Sequence, residues 1–179
     1  FYDRLEVKDA IAYLKVIANP SDTVSLLRII NTPRRGIGKT TIESLVTASQ
    51  ELGIPLWEIL SDETSVNTIA GRAAKSINQL VQLLQTFQAQ VETLPVAEIL
   101  LQVMEQSGYI ADLKEKGTEE ANNRLENVFE LYNAVVKFSE DSENNSLQDY
   151  LATASLSSDL DDLSEGQEKV SLMTLHSAK

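Results

Sequence analysis

The sequence contains no cysteine and only one histidine, and these absences exclude several classes of protein. Without thiols there is no disulfide framework, no thiolate metal site and no cysteine protease, and one imidazole leaves little for a zinc centre. No apolar run approaches the roughly 18 residues needed to span a bilayer, and the N-terminus lacks the pattern of a signal peptide. We therefore expect a cytoplasmic protein with no membrane partner.

What is present is the composition of a folded globular protein, with 42% hydrophobic and 23% charged residues in a chain of 179. Both fractions are ordinary for soluble domains, and the length suits one domain or slightly more. The chain begins with Phe1 rather than Met, so we expect it to be a piece of a larger protein.

The charges are distributed unevenly along the chain. The formal net charge of −12 should on average repel nucleic acid and anionic membranes. Residues 23–42, however, contain Arg28, Arg34, Arg35 and Lys39 and no acid, so this stretch carries +4 and the remainder −16. Residues 139–168 show the opposite bias, with nine acids and no base, which is typical of a solvated surface. The basic stretch is the candidate for contact with an anionic partner.

Helical periodicity predicts a mainly α fold with several helices. Apolar spacing predicts helices over about 5–17, 22–30, 40–52, 70–91, 96–104, 119–138 and 147–154. Only Val170–Leu175 has the pattern of a strand. Because one strand cannot form a sheet by itself, we expect its partners to lie in a neighbouring domain.

The run Gly38-Lys39-Thr40 superficially matches the end of a phosphate-binding loop. That motif requires a glycine five residues before its second glycine, and Pro33 occupies this position. The sequence therefore does not predict an ATP site within this chain.

The same turn fits a helix-hairpin-helix contact with a DNA backbone better. Gly36 and Gly38 carry no side chain to keep a phosphate away, and the first amides of the following helix are available to an anion. Arg34, Arg35 and Lys39 would add positive charge. Such contacts position a duplex without reading its sequence. An ordinary glycine-rich turn with solvated arginines is the alternative. The turn alone favours that alternative, and the local charge of +4 in an otherwise acidic chain makes the two interpretations equally supported.

His176 directly follows the predicted strand and adjoins Ser177. A nucleophile and base pair would need a third, orienting group and a geometry that sequence neighbours rarely have. A structural or contact role for this histidine is the better interpretation.

Four blocks together resemble the UvrD/PcrA/Rep DNA helicases of superfamily 1. In chain order they are FYDRLEVKDA at 1–10, INTPRRGIG at 30–38, RLEN at 124–127 and LMTLHSAK at 172–179. The resemblance spans almost the whole chain, and the second and fourth blocks are long and distinctive.

The resemblance implies a domain organisation. Residues 1–12 would form the end of a RecA-like 2A segment and the junction, 13–168 would form the all-helical 2B subdomain, and 169–179 would begin the returning 2A segment with a sequence similar to helicase motif V. The parent protein would be an ATP-dependent 3'-5' DNA helicase that needs ATP and Mg2+. This chain would hold no cofactor and no catalytic or metal-binding residue, and would neither hydrolyse ATP nor unwind DNA alone.

The resemblance also assigns contacts to DNA, both duplex and single-stranded, beside contacts to the rest of the helicase chain. The expected duplex contacts are Thr32, Arg34, Arg35, Gly36, Ile37, Gly38, Lys39 and Thr40. The expected single-strand contacts are Thr174, His176 and Ser177. Together these imply an accessory domain that binds duplex DNA and regulates unwinding in repair or replication. The rival hypothesis is a helical protein-interaction module without DNA contact, and an independent enzyme would require nucleotide hydrolysis by this chain.

Overall fold

The structure, a computed structural model, describes the backbone of residues 1–177 and the side chains of residues 1–163. Every regular element in this part of the chain is helical, which confirms the predicted mainly α fold. The α-helices of these residues are α1 (Leu5–Ala18), α2 (Thr23–Ile29), α3 (Lys39–Leu52), α4 (Leu56–Ser61), α5 (Glu63–Ala70), α6 (Ala74–Gln88), α7 (Val96–Gln106), α8 (Tyr109–Lys116), α9 (Glu119–Asp141) and α10 (Leu147–Ser177).

The helices predicted on either side of the basic turn are confirmed. The carboxylate of Asp22 accepts the Ser25 amide at 3.1 Å and caps the start of α2. At the other end, α3 stops at Leu52 because Gly53 follows with φ +65°, a left-handed conformation that glycine adopts without strain. The two helices bracket a short connection over residues 30–38, and they determine where that connection lies on the surface.

The long helix predicted over 70–91 corresponds to α6, Ala74–Gln88, and is shorter at both ends than predicted. Gly71 has φ +54°, which ends α5, and a short 3-10 turn over Gly71–Ala73 leads into α6. The apolar spacing continues across this break, with Ala70 and Ala73 both buried. Periodicity alone therefore placed the start of this helix too early.

The C-terminal segment also differs from the prediction. The strand expected over Val170–Leu175 is not seen, and α10 instead continues through these residues to Ser177. A strand needs a neighbouring strand for its backbone hydrogen bonds, and the expected partners belong to another domain. The pairing itself stays a prediction.

Helix α1 occupies the centre of the fold and packs against α2, α6, α7, α9 and α10. Its inward face is completely covered, with Val7, Ala10, Tyr13 and Leu14 at 0% exposure. Each fully buried large aliphatic side chain contributes about 1.5–3 kcal/mol to folding. Helix α2, which precedes the basic turn, is thus anchored on α1, whose inward face is fully buried.

The first residues rest against α10. The Tyr2 amide donates to Asp161 at 3.3 Å, and the hydroxyls of Tyr2 and Tyr150 lie 3.4 Å apart. Burial, then the hydrogen bond with Tyr2, raises the pKa of Tyr150 above its ordinary value. The N-terminal stretch is therefore tied to the last described helix.

A buried ionic group joins α1, α2 and α8. Asp9 is 4% exposed, and it accepts hydrogen bonds from Arg28 Nε at 2.9 Å and from the Tyr109 hydroxyl at 2.7 Å. Burial first, and then the hydrogen bond to Asp9, raises the pKa of Tyr109. Because a buried carboxylate is stable only when paired, this contact fixes how α2 lies on α1.

Candidate nucleic-acid interface

The basic turn between α2 and α3 is organised by Asn31. Its side-chain Oδ1 accepts the Arg35 amide at 2.6 Å and the Ile37 amide at 3.3 Å, as an asparagine at the start of a turn commonly does. Ile37 is 1% exposed and anchors the turn in the core, while Gly36 has φ +74° and is exposed. The turn therefore has a defined shape and an exposed tip.

The start of α3 offers backbone donors to an anion. Gly38 is the N-cap and has no side chain to accept a hydrogen bond, and the first-turn amides of α3, at Lys39, Thr40 and Thr41, have no acceptor among the described residues. Gly38, Lys39 and Thr40 are all exposed. Unpaired amides at the positive end of a helix dipole form a ready site for a phosphate oxygen. The structure brings this predicted donor set together.

The two adjacent arginines have different surroundings. Arg34 is exposed, and none of the side chains of residues 1–163 forms an ion pair or hydrogen bond with it. The guanidinium of Arg35 instead turns into the domain and donates to the carbonyls of Ile29 at 2.6 Å, Ile30 at 3.2 Å and Ser107 at 3.3 Å. Of the two arginines, only Arg34 is therefore free to face an external phosphate.

Tyr13 supports the turn from the core. Its hydroxyl donates to the Thr32 carbonyl and accepts from Arg35, and burial raises the pKa of Tyr13 although the charge of Arg35 opposes this. Thr32 is itself engaged at the end of α2, where its hydroxyl donates to the Arg28 carbonyl at 2.9 Å. Sequence reasoning missed both Asn31 and Tyr13. Asn31 had a local signal, as an asparagine beside Thr32-Pro33, whereas Tyr13 acts across 19 residues and had none.

A surface groove of about 500 Å³ lies beside the turn and includes Arg34 in its wall. Lys116 and Arg124 line its other side and belong to α8 and α9. Both form ion pairs within their own helices, Lys116 with Asp112 at 3.0 Å and Arg124 with Glu120 at 2.7 Å. These pairs are solvent-exposed and contribute little to stability, so both cations remain accessible from the groove.

Comparison with known proteins assigns the chain to a family. All of it, residues 1–179, matches the family profile described as UvrD-like helicase C-terminal domain. The chain belongs to this family. Similar relatives include proteins named ATP-dependent DNA helicase PcrA, from Leuconostoc citreum and Staphylococcus epidermidis (strain ATCC 35984) at 35% identity and from Bacillus subtilis (strain 168) at 30%. Each match covers 100% of this chain and 25% of the relative. The chain thus spans about a quarter of the length of these curated relatives.

In this UvrD-like helicase C-terminal domain, two of the four sequence blocks meet in space. Asn127 of the third block accepts from Arg4 at 2.5 Å and donates to Glu6 at 2.7 Å, and both of these partners belong to the first block. Glu6 is 5% exposed. These hydrogen bonds join the start of α1 to α9.

The predicted single-strand contacts of this UvrD-like domain lie elsewhere in the chain. Thr174, His176 and Ser177 fall outside residues 1–163, whose side chains the structure describes. Their role stays a prediction. Among the described residues of the domain, no helix combines the length and the apolar character that crossing a membrane requires.

Proposed function

We propose that this chain is the duplex-binding accessory domain of an ATP-dependent 3'-5' DNA helicase that acts in DNA repair or replication. It binds the phosphate backbone through the helix-hairpin-helix turn over residues 31–40 and regulates unwinding through its orientation on the motor. The family and the relatives, which are named ATP-dependent DNA helicase PcrA, support this proposal.

One observation carries the proposal. The first-turn amides of α3 are without acceptors among the described residues, and the unpaired Arg34 lies on the same exposed turn. Thr40 and Lys39 contribute amides, and Gly36 and Gly38 leave room for a close approach. The charged side chain of Lys39 is 90% exposed, and its exposed pair with Glu43, at 4.0 Å, is weak enough for the amino group to face a phosphate. Ile37 anchors the turn, and Thr32 and Arg35 hold its base, so we assign these three a positioning role in duplex binding.

The proposed domain organisation divides the chain into 1–12, the end of a RecA-like 2A segment and its junction with the helical core, 13–168, the helical subdomain, and 169–179, the start of the returning 2A segment. Thr174, His176 and Ser177 would contact single-stranded DNA from the last segment. ATP and Mg2+ would be bound by the remainder of the parent protein, which would carry out the hydrolysis.

Salt-dependent duplex binding tests the proposal. With two to four phosphates contacted, the affinity should fall with a log–log slope of about −1.8 to −3.6. This corresponds to a loss of about 12-fold to 150-fold in affinity between 50 and 200 mM salt. The measurement is fluorescence anisotropy of a labelled hairpin duplex, started at low salt because the net charge of −12 weakens binding.

Arg34→Ala should flatten the slope by about 0.9, equally for all DNA sequences, because one phosphate contact is lost. Arg72→Ala is the matched control, since Arg72 is exposed and lies in the 3-10 turn away from the hairpin. The proposal fails if the two variants titrate identically with salt.

A protein-interaction module is the second candidate, and one feature of α10 favours it. Leu156, Leu160 and Leu163 are 57–61% exposed, and their spacing places them on one helix face. Asp159, Asp161 and Asp162 lie between them in the sequence. A basic, amphipathic partner would suit this face. Two results together would favour this function instead. Arg34→Ala would leave duplex binding unchanged, and Leu160→Ser would abolish binding of a basic, amphipathic partner.

A further inference from the structure

We propose that Tyr109, at the start of α8, is a positioning residue for the hairpin over residues 31–40 and holds it in the conformation that binds duplex DNA. The inference rests on the proposed function, because it concerns the same duplex site. Tyr109 is 6% exposed, so it acts from inside the domain and does not touch the DNA. We call the connection Ser107-Gly108-Tyr109, which links α7 to α8, the SGY turn.

The SGY turn lies directly against the base of the hairpin. Its Ser107 carbonyl accepts a hydrogen bond from Arg35 Nη2 at 3.3 Å. Gly108 follows with φ +85°, and a Cβ at that position would lie 3.8 Å from Cγ of Pro33. The SGY turn therefore borders two residues of the hairpin, Pro33 and Arg35.

Tyr109 fixes the position of the SGY turn through two hydrogen bonds. Its hydroxyl donates to Asp9 at 2.7 Å, and its amide donates to the Ser107 hydroxyl at 3.3 Å. Asp9 is 4% exposed, and a buried carboxylate that loses a donor is left partly unsatisfied. The Tyr109 hydroxyl therefore determines where the SGY turn lies on α1.

A second route of hydrogen bonds leads from Asp9 to the hairpin through α2. Arg28 Nε donates to Asp9 at 2.9 Å, and the Arg28 carbonyl accepts the Thr32 hydroxyl at 2.9 Å. The Thr32 carbonyl accepts from the Tyr13 hydroxyl, which in turn accepts from Arg35. This route ends on the same guanidinium that the SGY turn contacts. The hydrogen bonds thus form a closed circuit around the base of the hairpin.

The circuit predicts a characteristic effect on binding. Hydrogen bonds in a buried network support one another, so breaking the Tyr109 link should let the hairpin leave its binding conformation. The apparent affinity then falls in proportion to the fraction of molecules that keep this conformation. The bound state retains all its phosphate contacts, so the salt slope stays the same. Loss of a residue that contacts phosphate would instead flatten the slope by about 0.9.

The test is Tyr109→Phe, which removes the hydroxyl and keeps the ring, with Tyr150→Phe as the matched control. Tyr150 is 2% exposed on α10, and its hydroxyl lies beside that of Tyr2. In the anisotropy titration, Tyr109→Phe should bind the labelled duplex about 5-fold more weakly at every salt concentration, with the slope of the unmodified chain. Tyr150→Phe should bind like the unmodified chain.

Amide hydrogen exchange provides a readout that does not depend on DNA. The Arg35 amide donates to the Asn31 side chain at 2.6 Å, so its exchange reports opening of the hairpin. This amide should exchange several-fold faster in Tyr109→Phe and at an unchanged rate in Tyr150→Phe. Ser107→Ala removes the acceptor of the Tyr109 amide and should produce both effects in smaller measure, which provides a second variant if Tyr109→Phe does not fold.

The outcomes separate this inference from the proposed function. Unchanged affinity of folded Tyr109→Phe, or an equal loss of affinity in Tyr150→Phe, would overturn the positioning role. A slope flattened by about 0.9 would indicate a lost phosphate contact and would also overturn it. Absence of duplex binding by the unmodified chain would refute the proposed function, and exchange of the Arg35 amide would then decide separately whether Tyr109 holds the hairpin. Circular dichroism checks that all variants are folded.

Discussion

Replacing Arg34 and Arg35 separately by Ala should cause two different kinds of defect, although the residues are neighbours and carry the same charge. Arg35 donates hydrogen bonds to Tyr13 and to three backbone carbonyls, whereas Arg34 has no partner among the described residues. We expect Arg35→Ala to destabilise the fold and Arg34→Ala to weaken only duplex binding.

The magnitude for Arg35→Ala follows from these contacts. A hydrogen bond to a charged group contributes about 1.5–3 kcal/mol, and the contributions of one side chain are not additive. Arg35 is half-buried, so solvent replaces some of its bonds, but the Ser107 carbonyl lies in a buried residue. We expect a loss of about 3 kcal/mol, which lowers Tm by about 6–12 °C in a domain of this size. Arg34→Ala should stay within about 0.5 kcal/mol.

The assay is urea and thermal unfolding of both variants by circular dichroism, in parallel with the salt titration of duplex binding. Arg35→Lys is a useful control, because lysine keeps the charge but cannot donate in the same fork to several carbonyls. It should remain clearly less stable than the unmodified protein. Equal stability of the Arg34 and Arg35 variants, or an unchanged Tm for Arg35→Ala, would refute the inward role of Arg35.

Two further predictions concern the glycines and the tyrosines. Gly38→Ala should lower the free energy of unfolding by about 1 kcal/mol or less, because a Cβ there meets nothing within 4 Å and φ is ordinary. It should nevertheless weaken duplex binding, because the added methyl group obstructs the phosphate, and duplex binding equal to that of the unmodified chain would contradict this expectation. Gly36→Ala would add backbone strain, because φ is +74° at that position. Above pH 10 the unfolded chain releases tyrosine protons that Tyr13, Tyr109 and Tyr150 retain when folded, since their folded pKa values are raised. The tyrosine contribution to the free energy of unfolding should therefore be complete below pH 10 and fall by about 1.4 kcal/mol per pH unit for each tyrosine as the pH rises above 10. Urea unfolding between pH 9 and 11 measures this change, and a free energy of unfolding that is constant over this range would contradict the prediction.

Much of the fold was accessible from local sequence signals. The helices flanking the turn were predicted because Asp22, Pro33 and Gly53 are strong start and stop residues. The mainly α class followed from apolar periodicity. The start of α6 was predicted too early because Ala70 and Ala73, which precede it, are both buried and fit the apolar pattern.

The position and composition of the candidate site were predicted from the sequence, but the different contacts of its two arginines were not. The sequence indicated a basic, glycine-containing turn with free amides at the start of α3. It did not separate Arg34 from Arg35, because the carbonyls that hold Arg35 come partly from Ser107, which is 72 residues away. The strand predicted over 170–175 stays a prediction, because it would need partner strands from a neighbouring domain.

The contact between Tyr2 and Asp161 has a mechanical consequence for the proposed helicase. Because Tyr2 contacts Asp161 of α10, both tethers to a motor domain would lie on the same side of the helical core under the proposed division of the chain. A body attached in this way can swivel as a unit while its interior stays undisturbed, because only the few residues at the tethers change their dihedral angles. Such a swivel would carry the basic turn towards or away from the duplex.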